Sequence, residues 1–222
     1  HTGNKRMRIS VIGAGAWGTA FAVHLARKGY SVLLWVYEKD LCATLKSDRE
    51  NSLFLPGVSL SPAIRFSTSL EAVADFAEDI VLATPSFALR RVAAQLGERL
   101  RRKNILILTK GLERDTLHPM SDVVASFTAD ENSIAVLSGP SFAKEVAHGA
   151  FTAVVAASAN IVLARYFQSA FHDDNFRVYV TDDVIGVELG GALKNVMAIG
   201  AGVIEGLGLG TNTSAAFVTR AL

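Results

Sequence analysis

An α/β fold built on a doubly wound sheet is predicted by three features of this 222-residue sequence. Short apolar runs alternate with amphipathic stretches from residue 7 to about residue 181. The first run is closed by three glycines, Gly13-x-Gly15-x-x-Gly18, and a helical pattern follows them at once. Beyond Asp182 the strands cease and the chain becomes apolar, helical and rich in glycine.

Ile9, Val11 and Ile12 read as a strand of a parallel sheet covered on both faces. Each following glycine has its own task. Gly13 permits the tight turn, Gly15 removes a side chain where a pyrophosphate approaches, and Gly18 lets helix and strand pack closely. Trp17, Phe21 and Leu25 recur every four residues on one helix face, and Gly29 stands where a left-handed residue ends a helix. A second apolar run, 32–36, is followed by Tyr37 and Glu38, and Glu38 lies where an acid reaches a ribose hydroxyl. A glycine turn also occurs for structural reasons alone, but strand, glycines, helix, second strand and acid together favour a Rossmann-type dinucleotide site.

Further along, residues 40–50 form a helix and 51–62 a loop, with a turn at Leu55-Pro56-Gly57. A strand at 64–66, a helix at 70–76 and a strand at 80–83 follow, and the chain turns at Thr84-Pro85. Ser86 is placed to cap a helix through Leu96 that ends at Gly97 or a turn later. The strand at 105–108 stops at Thr109-Lys110-Gly111, and a helix at 119–127 leads to a strand at 134–137. Ser138-Gly139-Pro140-Ser141 introduces a helix through Val146, and a strand at 152–156, a helix at 159–171 and a strand at 177–180 complete the alternation. In such a sheet ligands bind at the carboxyl ends of the strands, so Tyr37, Pro85, Lys110 and Ser141 are expected to line one crevice.

The predicted organisation is a loose polar tail (1–6), a dinucleotide-binding domain (7–181) and the first helices of an all-α substrate domain (182–222) whose remainder is absent. Residues 185–210 are interrupted by Glu188, Lys194, Asn195 and Glu205. A membrane span would bear about 2.5–3.5 kcal/mol for each charge at its centre, so a helix buried between domains or subunits is the better reading.

Composition limits the partners. Lys plus Arg number 22 against 21 Asp plus Glu, a formal charge of +1, which argues against nucleic acid or an anionic membrane as the main partner. Cys42 is the only cysteine, so no intrachain disulfide forms; this suits a reducing cytoplasm and a space-filling role. The five histidines show no metal spacing, and no metal is expected.

Lys194 is the leading candidate for chemistry: within an apolar helix its charged form loses hydration, which makes the lysine available as a base. The competing role is a lysine that snorkels to the edge or pairs with Glu205 or Glu188. Asn195 beside it favours a site. Lys110 follows an all-apolar strand, with Gly111 leaving room for a ligand. Gly139 to Ser141 offers either a helix start that binds an oxygen-rich ligand or a simple N-cap.

Four segments carry a resemblance that covers essentially the whole chain: Gly13-Ala14-Gly15-Ala16-Trp17-Gly18-Thr19-Ala20, 108–113 (Leu-Thr-Lys-Gly-Leu-Glu), 137–145 (Leu-Ser-Gly-Pro-Ser-Phe-Ala-Lys-Glu) and 189–196 (Leu-Gly-Gly-Ala-Leu-Lys-Asn-Val). In order and separation they resemble the NAD(P)-dependent glycerol-3-phosphate dehydrogenases. The resemblance implies hydride transfer between NAD or NADP and C2 of glycerol 3-phosphate or dihydroxyacetone phosphate, a small phosphorylated three-carbon substrate, in the service of phospholipid synthesis, by a homodimer. It implies that Lys194 is the base, that Lys110 serves the substrate and nicotinamide region, and that Gly139 and Ser141 meet the substrate. Ala143, Ala16 and Trp17 would meet the cofactor. The alternatives are a related dehydrogenase of 3-hydroxy acids or 6-phosphogluconate, or an NAD-binding module without turnover. The family's phosphate-holding residues are expected beyond residue 222. Tyr37-Glu38 at the end of the second strand favours NAD, because a carboxylate there repels a 2′-phosphate, with Lys39 as a possible counter-charge.

Overall fold

The computed structural model describes residues 7–128 and 133–221; the expected tail, 1–6, lies outside the described residues. The chain runs β1 (Arg8–Ile12), α1 (Ala16–Arg27), β2 (Ser31–Trp35), α2 (Lys39–Asp48), β3 (Glu50–Asn51), β4 (Leu55–Ser59), β5 (Ile64–Ser67), α3 (Leu70–Phe76), β6 (Asp79–Leu82) and α4 (Ser86–Leu96). There follow β7 (Asn104–Ile107), α5 (Met120–Ala125), β8 (Ile134–Ser138), α6 (Ala143–His148), β9 (Thr152–Ala157), α7 (Ile161–Phe171), β10 (Phe176–Thr181), α8 (Val184–Gly206) and α9 (Thr211–Ala221).

Eight strands form one sheet in the order β10-β9-β8-β7-β6-β1-β2-β5. Side chains alternate between its faces. Val11, Val81 and Leu106 pack under Phe21 and Leu25 of α1, Leu45 of α2 and Phe167 of α7. Ile12, Ile80, Leu82 and Ile107 pack under Val73 of α3, Leu89 and Val92 of α4 and Val123 of α5. The sheet is therefore doubly wound, as the alternation predicts. After β5 the chain crosses back past β2 and β1 to β6. The carboxyl ends of β1 and β6 thus flank the point where strand order reverses, the place where such sheets bind ligands.

Helix α1 ends as expected. Gly29 has φ +88, and the amides of Gly29 and Tyr30 donate to Ala26 (3.0 Å) and Leu25 (3.1 Å), closing the last turn. Cys42, on the inner face of α2, is buried in the core, a space-filling position.

Several expectations are corrected. Leu55-Pro56-Gly57 is not a turn but the first part of β4, which pairs antiparallel with β3. In a two-stranded ribbon both strands are edges, where a proline such as Pro56 is tolerated. Ser86 is the first residue of α4 rather than its cap; Pro85 holds the cap position and no side chain caps there. Ser141 precedes the cap of α6, which is Phe142, so the simple N-cap role falls away. Strand β9 pairs antiparallel with β8, and β10 runs parallel to β9. Alternation of strand and helix does not fix strand direction, and here the intervening α6 packs on α1.

Candidate functional site

The glycine turn divides its labour as the sequence suggests. Gly13 has φ +117, and a Cβ on it would lie 2.7 Å from the Ala83 carbonyl oxygen at the end of β6. A Cβ on Gly18 would lie 2.0 Å from the Gly13 carbonyl oxygen, so helix and turn touch there. A Cβ on Gly15 would meet nothing within 4 Å, which leaves open space at the start of α1. Gly15 itself occupies the cap position with no side-chain cap, and the first turn of α1 holds no acid. The free N–H groups of that turn therefore remain suited to an anion. Buried Asn51 holds the turn from beneath, donating to the Ala14 carbonyl (2.9 Å) and the Thr19 hydroxyl (2.8 Å).

A cleft of about 290 Å³ opens beside this turn, with Gly13, Gly15, Tyr37, Glu38, Thr84 and Pro85 among its lining residues. Phe54, Phe87 and Arg91 complete its outer wall. Two buried polar atoms in this region have no hydrogen-bond partner among the described residues: the Thr84 hydroxyl and the Trp17 indole nitrogen. Buried polar groups are normally paired, and of the two only Thr84 lines the cleft, where its hydroxyl is open to a ligand. Open space at Gly15, an uncapped helix start and an acid after β2 fit a dinucleotide.

The second part of the site lies at the ends of β7 and β8. Lys110 Nζ donates to the Gly139 carbonyl (3.0 Å) and approaches the Ser141 hydroxyl at 3.4 Å, joining segments 29 and 31 residues apart. The Thr109 hydroxyl donates to the Thr84 carbonyl (2.8 Å), tying the ends of β7 and β6 together. Just past Lys110, Glu113 accepts both arms of the Arg90 guanidinium at 2.5 and 2.7 Å. That pair and a Thr116 hydrogen bond hold the Glu113 carboxyl down at about 2.

Helix α8 closes over this end. Glu188 is buried and accepts from the Ser121 amide (2.9 Å) and hydroxyl, while burial pushes its carboxyl pKa up. One turn on, a Cβ on Gly191 would lie 2.6 Å from the Ser138 hydroxyl oxygen, so only glycine allows this approach without displacing Ser138. Lys194 then lines a cavity of about 440 Å³ with Ser138, Gly139, Pro140 and Phe142, its Nζ 5.3 Å from the Phe142 ring centroid.

The expected single crevice is thus two neighbouring cavities. Tyr37 and Pro85 line the first, Gly139 and Lys194 the second, and Lys110 and Ser141 meet beside the second. Ala16 begins α1 and Ala143 begins α6, and neither lines either cavity. Asn195 is exposed and does not line the cavity beside Lys194. The desolvation expected of Lys194 falls on Lys110 instead. Lys194 is exposed, whereas Lys110 is lowered from 10.5 to about 8, first by burial and second by the charge of Lys194. Lys194 also makes no ion pair with Glu188 or Glu205 among the described residues.

Residues 8–164 match the family model described as NAD-dependent glycerol-3-phosphate dehydrogenase N-terminus, and residues 183–222 match that of the C-terminus. The chain belongs to the NAD-dependent glycerol-3-phosphate dehydrogenase family. A relative from Geobacter sulfurreducens named glycerol-3-phosphate dehydrogenase [NAD(P)+] is 51% identical over 218 residues. That match covers 97% of this chain and 65% of the relative, so the chain spans about two thirds of the length of such relatives. Among solved structures, glycerol-3-phosphate dehydrogenase from Coxiella burnetii matches with TM-score 0.86 and 38% identity, covering 97% of this chain and 66% of that one. The Saccharomyces cerevisiae enzyme matches with TM-score 0.85 and 29% identity over 98% of this chain and 68% of that one.

Sequence reasoning missed Thr84, Asn51 and Arg91. Thr84 follows β6, so the carboxyl-end rule that selected Pro85 would have found it. Asn51 lay in a stretch read as loop, and nothing in the pattern of α4 singles out Arg91.

Proposed function

We propose that this chain carries the dinucleotide-binding domain (7–181) and the start of the helical substrate domain (182–222) of a glycerol-3-phosphate dehydrogenase. The observation that carries the reading is the meeting of Lys110 with Gly139 and Ser141 at the sheet edge, with Lys194 across the adjoining cavity. When bound, NAD or NADP supplies hydride exchange with C2 of the substrate. Gly13 and Gly15 face its pyrophosphate region, Gly18 keeps helix and turn in contact, and Tyr37, Glu38 and Pro85 line the adenosine side, while Ala16 and Trp17 are assigned to the cofactor by family resemblance. Ala143 is assigned to the cofactor by family resemblance. Gly139 and Ser141 orient the substrate, and Asn195, exposed outside the cavity, is assigned to it only as the neighbour of Lys194.

By family resemblance Lys194 is the group that accepts the proton of the C2 hydroxyl, and in reverse returns one to the forming alkoxide. Lys110, at about 8, is still mainly an ammonium at neutral pH and steadies charge on the same oxygen. Glu38 makes NAD at least as good a cofactor as NADP.

Helix α8 is long and apolar enough to cross a membrane, with mean hydropathy 1.3 and little of its surface buried in this chain. We read it as packing on protein in a cytoplasmic homodimer, because its buried Glu188 is fastened to Ser121 and its Lys194 faces a cavity.

The test is oxidation of NADH with dihydroxyacetone phosphate by the whole protein, with 3-hydroxy acids and 6-phosphogluconate as alternative substrates. Lys194→Ala should lower kcat by about 10²–10⁴ with little effect on NADH binding. Turnover of another substrate in place of dihydroxyacetone phosphate, or a Lys194 variant with unchanged kcat, overturns the reading.

A further inference from the structure

We propose that Arg91 is the residue that lets this site accept a 2′-phosphate, and so decides how far NADP competes with NAD; this rests on the dinucleotide reading above. The acid at the end of β2 presents a difficulty for any nucleotide bearing a 2′-phosphate. Glu38 lines the cleft, and its carboxylate repels a second anion placed at the ribose. A site that takes both cofactors needs a cation at the same wall.

Lys39, next to Glu38 in sequence, is the first residue of α2 and does not line the cleft. Arg49 is committed elsewhere: its guanidinium donates to the carbonyls of Leu60, Ser61 and Ile64 and lies over the Phe66 ring. Arg90, on α4, is held by Glu113. Arg91 differs from all three. It lines the cleft from α4, opposite the end of β2, and its Cζ lies 5.6 Å from the centroid of the Tyr37 ring, the residue directly before Glu38. It makes no hydrogen bond or ion pair among the described residues, so its five N–H donors are available. Cation–π contact places the guanidinium while leaving those donors unspent, and planar forked donors suit phosphate oxygens.

Glu38 and Arg91 therefore form a two-way reader. The carboxylate accepts from a 2′-hydroxyl, and the guanidinium donates to a 2′-phosphate. Tyr37 joins the two walls.

The test is titration of the purified protein with NADH and NADPH, following nicotinamide fluorescence, for wild type, Arg91→Ala and Arg91→Lys. Arg91 is exposed, so neither change should disturb folding. Arg91→Ala should weaken NADPH by about tenfold or more and NADH by less than about threefold, and Arg91→Lys should restore part of the NADPH loss. Raising salt should weaken NADPH more than NADH in wild type and equalise them in Arg91→Ala. Equal loss for both nucleotides would mean that Arg91 packs against the adenosine, and an unchanged NADPH affinity would mean that it is idle; either overturns the inference. If wild type binds neither nucleotide, the dinucleotide reading itself fails.

Discussion

Replacing Lys194 by alanine removes one of the two causes that lower Lys110, and the structure says how far Lys110 should recover. Burial is the larger cause and the Lys194 charge the smaller, and together they bring Lys110 from 10.5 to about 8. Removing the smaller share must therefore leave Lys110 below the midpoint of that interval, or under about 9.3. At pH 8 the wild-type side chain is half neutral, and in Lys194→Ala a larger share of it is ammonium. Lys194 is exposed, so its truncation should leave the fold intact. Competitive acylation across pH, with peptides quantified by mass spectrometry, reads the Lys110 midpoint in both proteins. Salt at about 1 M should move wild type part of the way toward the variant, because the repulsion from exposed Lys194 is screened. A wild-type midpoint near 10.5, no movement in Lys194→Ala, or full recovery to 10.5 would each refute the division between burial and charge. The same shift has a consequence for folding. Between about 8 and 10.5 the unfolded chain binds more protons at this lysine than the native one, so its contribution makes stability rise with pH across that window.

Two further predictions concern the first helix and its turn. Gly18→Ala places a methyl 2.0 Å from backbone oxygen and should destabilise by about 3 kcal/mol or more in urea melts. Gly15→Ala meets nothing within 4 Å and should leave stability within about 0.5 kcal/mol while weakening NADH at least about tenfold; normal binding by that variant would detach the turn from the nucleotide. His24 is buried, with Nε2 2.8 Å from the Phe171 carbonyl oxygen, and burial lowers its pKa from 6.5 to about 4. The unfolded chain therefore binds more protons over that interval, and about 3 kcal/mol of stability should be lost as pH falls from 6.5 to about 4. A pH-dependent slope in urea melts that survives His24→Gln would assign the loss to another group.

The sequence was most legible where local chemistry and burial agree. Strands β6 and β7 are apolar runs because both faces of the sheet are covered, and α3 falls at 70–76 as its pattern predicts, with the Ser69 hydroxyl accepting from the Ala72 amide. The packing tasks of Gly13 and Gly18 were also readable, since each depends on atoms a few residues away or on the strand just beyond. Legibility failed where the deciding contact is distant in sequence. Pro56 and Gly57 look like a turn, yet the Glu50 carboxylate accepts the Gly57 amide at 2.9 Å and helps hold them in a ribbon. Arg91 is an ordinary polar position on an amphipathic helix until Tyr37 is placed beneath it.

The two lysines show this limit in its sharpest form. Apolar neighbours along α8 suggested that Lys194 would be desolvated, but neighbours in sequence are not neighbours in burial. Among the residues of α8 only Glu188 is buried, and its carboxylate fastens the helix to Ser121 of α5. That contact and the bare face of Gly191 set α8 down against Ser138, the last residue of β8, and Lys110, just past the end of β7. Lys110 therefore loses its water to the sheet while Lys194, one turn beyond the contact, keeps its own. The charge of Lys194 still reaches Lys110, so the two ammonium groups act on each other from opposite sides of one cavity edge.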